Sequence, residues 1–151
     1  MSGVTAAFAL LALAAGIAGS IQVAVMGRFG ERIGSFEALL ANLGFSTLLA
    51  ALVLVAVRQG AGGLTDALRA PWWYWLGGGG MGILVVLSIT LCAPRLGATA
   101  TIGVLIAGQL AMGVAIDRLG LFGVEQVELT WVRLTGVALL AAGAALALYR
   151  G

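Results

Sequence analysis

Charged side chains are missing from five long stretches of this chain, and nothing else in the sequence constrains its fold as strongly. No Asp, Glu, Lys or Arg occurs in residues 1–27, 38–57, 70–94, 96–116 or 134–149. Four of these runs reach the roughly 20 residues that an α-helix needs to cross about 30 Å of hydrocarbon. The fifth reaches that length if it begins near Leu129, because Arg133 then lies in the first turn and its long stem carries the guanidinium back to the headgroups. The sequence therefore predicts an all-α integral membrane protein, with transmembrane helices over about 4–27, 36–57, 72–93, 97–116 and 129–149. The 9% of charged residues and mean hydropathy of +1.12 agree, since soluble domains carry roughly 25% charged residues.

These spans make one five-helix domain over 1–151 and leave no room for a soluble domain, so any chemistry belongs to the membrane. The first run reads as a span rather than a cleaved signal peptide, because MSGVT has no basic residue and the apolar run is too long. Cys92 is the single cysteine, which rules out an internal disulfide and suits a small packing residue. The expected connections are short: GRFGERIGSF, RQGAGGLTDALRAP, PRLG and DRLGLFGVEQVELTWVR. No internal repeat is visible.

Orientation in a membrane follows the Lys and Arg of short loops. Arg58, Arg69, Arg118 and Arg133 fall on the side of the N-terminus, while Arg28, Arg32, Arg95 and Arg150 fall on the other. With no lysine, the tally is four against four. A tie of this kind can be chance, with orientation set by the first helix or by loop lengths. It can equally mark dual topology, in which copies inserted both ways pair as an antiparallel dimer and supply the inverted symmetry that one chain lacks.

The stretch PWWYWLGGGGMG opens the third span. Trp72, Trp73, Tyr74 and Trp75 fit an interfacial anchor behind Pro71. Gly78 and Gly82 form a GxxxG pair that lets two helix backbones approach. The GxGxxG match at Gly77, Gly79 and Gly82 has no strand before it and no ribose-binding acid after it, so it carries no dinucleotide reading. Small residues also line up in the first, second and fourth spans, where close packing accounts for most of them. The amides of Gln22, Asn42 and Gln109 need hydrogen-bond partners in hydrocarbon, from another helix, a wet cavity or a solute. Glu37 and Asp117 stand at span ends and Asp66, Glu125 and Glu128 in loops, so no carboxylate is expected at mid-membrane to run cation-for-proton exchange unless Glu37 turns inward from the start of the second span. With no histidine, no cysteine pair and no basic patch, the chain has no candidates for catalysis, a metal centre, a cofactor or nucleic-acid binding.

The run PWWYWLGGGGMGILVVLSITLCAPRLGATATIGVLIAGQLAMGVAIDRLGLFG resembles the YdcZ-type branch of the drug/metabolite transporter superfamily, which are small bacterial inner-membrane proteins. The matching positions are Trp72, Trp73, Gly77, Gly78, Gly82, the APRLGA of residues 93–98, Gly108, Gln109, Asp117, Gly120 and Gly123, with Gln22 in the first helix. Relatives often place an asparagine shortly after that glutamine, where this chain has Met26. The last helix is also similar to that of small multidrug-resistance exporters, in which glycines seven apart pack the dimer, as Gly136 and Gly143 are spaced here.

The resemblance implies a small-solute transporter whose five spans are half of a ten-helix fold completed by an antiparallel copy. On this reading Gln22 and Gln109 line a site near the midplane, with Asn42 and Ser88 beside them and Trp73 near the entrance. Gly78 and Gly82 pack the third helix, Gly136 and Gly143 hold the copies together, and Arg28 and Arg95 stand at the pathway ends, favouring a neutral or anionic solute. A passive channel and a non-transporting scaffold or regulatory subunit are the alternatives.

Overall fold

The computed structural model describes residues 3–58, 69–128 and 130–149. Among them, five helices are long and apolar enough to cross a membrane: α1 (Gly3–Ile33), α2 (Ser35–Arg58), α3 (Trp72–Leu96), α4 (Ala98–Leu119) and α5 (Trp131–Leu148). The expected spans are all present, but their ends differ. Residues 27–36, expected as a connection, are helical except at Gly34, because Gly27 and Gly30 are tolerated inside α1 and the first real break is Gly34 at φ 102°. A second one-residue turn at Gly97, φ 86°, separates α3 from α4. α5 starts at Trp131 because Thr130 caps it, its hydroxyl accepting from the Arg133 N–H at 3.4 Å. Asp66, Leu129 and Arg150 lie outside the described residues.

α3 is not uniform. An α-turn at Trp72–Tyr74 follows Pro71, the segment Trp75–Gly80 winds as a π-helix, and an α-helix resumes over Met81–Leu96. The Met81 N–H reaches back to the Leu76 carbonyl, an i→i+5 bond. The glycines, expected to serve close packing, also accommodate a widened turn.

Contacts sort the chain into two compact units, one of Met1–Ala24 with Arg95–Gly151 and the other of Val25–Pro94. In the second unit, the end of α1 lies against the end of α3. A Cβ on Gly27 would stand 3.0 Å from the Ala93 Cβ and 3.4 Å from the Pro94 Cδ, and one on Gly30 would overlap the Thr90 methyl group. Pro94 lacks the N–H that would bond the Thr90 carbonyl, and that oxygen lies 3.5 Å from the same point above Gly30. In the first unit, α4 and α5 pack closely at Gly103, where a Cβ would stand 3.3 Å from the Ala144 Cα.

Beyond these seams, apolar side chains face outward, and the most apolar window of α2 contains no buried residue. Such a surface is insoluble in water and at home in lipid. Hydroxyl groups are tolerated there because they bond back along their own helices: Ser20 to the Gly16 carbonyl, Thr47 to Leu43, Thr90 to Val86, Thr101 to Gly97 and Thr135 to Trp131.

Candidate functional site

The amides are not satisfied in this way. Gln22 and Gln109 are exposed and Asn42 is half-buried, and among the described residues none of the three has a hydrogen-bond partner. Gln109 lines a hollow.

α4 and α5 touch at Gly103 and Ala144 but part towards the end of α4. There Gly113 on α4 and Gly136 on α5 present no side chain, and a groove of about 320 Å³ opens between the helices. Its walls are Leu110, Val114, Val137 and Leu140. Gln109 lies on it at one position, and Asp117 and Arg133 lie on it at another. Eight residues of α-helix separate Gln109 from Asp117, about 12 Å along the axis at 1.5 Å per residue.

The connection after α4 builds the charged end. Gly120 ends α4 in the left-handed conformation, φ 62°, and its N–H bonds the Ile116 carbonyl. A single 3₁₀ turn follows at Leu121–Gly123, with Phe122 also at positive φ. The chain then doubles back, so that the Val127 N–H bonds the Asp117 carbonyl at 2.9 Å. This return leads into Thr130 and sets Arg133, in the first turn of α5, beside Asp117, in the last turn of α4. Arg133 Nη1 donates to Asp117 Oδ2 at 3.2 Å, with both side chains more than a third exposed. An exposed pair of this kind stabilises by about 0–1 kcal/mol. Each charge also stands at the end of its own helix where the macrodipole opposes it, a carboxylate at a C-terminus and a guanidinium at an N-terminus.

The fold thus brings Gln109 and Gly136 into one groove, although the sequence singles them out for different roles. Gln22 belongs to the same unit but does not line the groove. Gly143 has nothing within 4 Å of where a Cβ would be, and neither do Gly136, Gly78 and Gly82. In the other unit, Asn42 and Ser88 are half-buried, and the ring of Trp73 stacks on Tyr74 with centroids 3.8 Å apart. Arg28 is exposed and 3.7 Å from Glu31, and these two line a surface hollow of about 390 Å³ with Arg32. Arg95 is exposed in the last turn of α3. The Asp117–Arg133 pair was not legible in the sequence as part of a site; the available signal was two opposite charges at facing ends of consecutive spans.

A family model described as "Putative inner membrane exporter, YdcZ" matches residues 7–146. No curated protein and no solved structure matches the chain.

Proposed function

Because the chain belongs to the YdcZ family of inner membrane exporters, matched over residues 7–146, we propose that it exports a small neutral or anionic solute as an antiparallel homodimer. It is a multi-pass inner membrane protein with five helices able to span the bilayer. Two oppositely inserted copies complete a ten-helix assembly and work by alternating access, with the solute path at their junction.

The observation that carries this reading is the set of amides left without a partner. Five hydroxyls on the helices are satisfied along their own backbone, while Gln22, Asn42 and Gln109 have no partner among the described residues. An amide in hydrocarbon without a partner is unfavourable by at least about 1–3 kcal/mol, so these groups call for a solute, water or a second copy. Gln109, already on a groove, is the first solute-binding group, and Gln22, Asn42, Ser88 and Trp73 join it in the dimer. The open space over Gly136 and Gly143 supports a seam between copies, and that over Gly78 and Gly82 supports close approach by α3. Arg28 and Arg95 stand at the ends of the path.

Counterflow tests the reading. Proteoliposomes loaded with a panel of unlabelled small carboxylates, alcohols and amides should accumulate the labelled form of a transported member, and Gln109→Ala should abolish accumulation while the protein stays folded. Equal tracer uptake with and without internal solute would point to a passive pore instead.

A further inference from the structure

The ion pair on the groove invites a reading beyond holding two helices together. We propose that Arg133 is the anion-binding group of this groove, that Asp117 is its built-in stand-in, and that the ligand is a small organic monocarboxylate with an apolar body. This rests on the reading of the groove as a solute site.

Four features support it. First, Arg133 meets Asp117 through one nitrogen and one oxygen at 3.2 Å, not through the two-pronged pairing that a guanidinium offers a carboxylate, and its side chain is half exposed. The donors left over are available to an incoming carboxylate. Second, the pair contributes little to stability and each member is disfavoured by its own helix, so holding the fold does not explain the placement. Third, Arg133 is the one cation among the described residues that line the groove, so it is the group there that an anion would meet. Fourth, beyond the charged end the walls are Leu110, Val114, Val137 and Leu140, which suit methylene groups, and Gln109 lies about 12 Å along α4, where it can meet a polar tail. When the ligand carboxylate takes Arg133, the partly exposed Asp117 turns to water.

The two charges then have opposite effects on binding, which a purely structural pair would not give. Hexanoate binding to the full-length protein in non-ionic detergent is measured by equilibrium dialysis, with hexylammonium, hexanol and an anionic phospholipid as comparison probes. Arg133→Gln should weaken hexanoate binding by about tenfold or more, the usual effect of losing a charge-assisted hydrogen bond. Arg133→Lys should retain part of it. Asp117→Asn removes the internal competitor and should tighten binding several-fold. Circular dichroism and size-exclusion profiles confirm that each variant is folded, and Arg133→Lys keeps the test open if Arg133→Gln is not. The proposal is overturned if Arg133→Gln and Asp117→Asn shift binding in the same direction or leave it unchanged. It is equally overturned if hexylammonium binds and Asp117→Asn abolishes that binding, or if only the phospholipid competes for Arg133. Any of these results alongside positive counterflow would sink this assignment and leave the exporter reading standing, whereas absence of counterflow for every solute would sink the exporter reading.

Discussion

At Gly30 a missing side chain decides the packing. A Cβ there would overlap the Thr90 methyl, and Thr90 is 1% exposed, so the methyl has no room to withdraw. Gly30→Ala should destabilise the protein by about 1–3 kcal/mol, as overpacking does, read as a lower thermal midpoint in detergent by circular dichroism. Thr90→Ser in the same chain removes the offending methyl and should restore most of the loss. Gly143 is the opposite case, with nothing within 4 Å. Gly143→Leu should leave the folding of a single chain within about 0.5 kcal/mol of the parent and abolish cross-linking between copies. Sequence spacing marks Gly78 and Gly82 for helix packing and Gly136 and Gly143 for the dimer, while Gly27, Gly30 and Gly103 make close contacts between helices of the chain. Spacing identifies a face of a helix, but what stands opposite that face depends on the neighbouring helix.

Among the elements, the middle of each span was legible and its ends were not. Absence of charge marks hydrocarbon depth, so five silent runs become five helices. Charge does not end a helix, however, and α1 continues through Arg28, Glu31 and Arg32 until Gly34 turns the backbone. The π-segment Trp75–Gly80 left no mark in the pattern, because four glycines carry no apolar period to be read. Gly79 has open space around it, so Gly79→Ala should raise stability by about 0.5–1 kcal/mol through reduced backbone entropy of the unfolded chain. If the widened turn serves the transport cycle, the same change should slow counterflow while the thermal midpoint rises. The groove was half legible: Gln109 stands out by its chemistry, whereas Asp117 and Arg133, sixteen residues apart, meet only because the connection after Gly120 doubles back.

For the molecule as a whole, the arginine tally bears on the proposed pairing of copies. Most of its described members sit at helix ends, with Arg28 and Arg32 late in α1, Arg58 ending α2, Arg95 and Arg118 in the last turns of α3 and α4, and Arg133 in the first turn of α5, while Arg69 lies in a turn before α3. Paired reporters fused after Arg150, one active in the cytoplasm and one in the periplasm, should both report activity. Two lysines added beside Arg28 should silence one of them, because the tie is then broken. A single active reporter in the parent chain would end the dual-topology proposal.

The one-residue turns at Gly34 and Gly97 have a practical consequence for that question. On the proposed topology, five successive crossings put both turns on one membrane surface and residues 59–71 and 120–130 on the other. A protease site engineered beside Gln126 would then behave as a compass needle. In a population inserted one way, enzyme added outside sealed vesicles cuts all of the chains or none; in a mixed population it should stop near half, with the remainder cut only after the vesicles are opened.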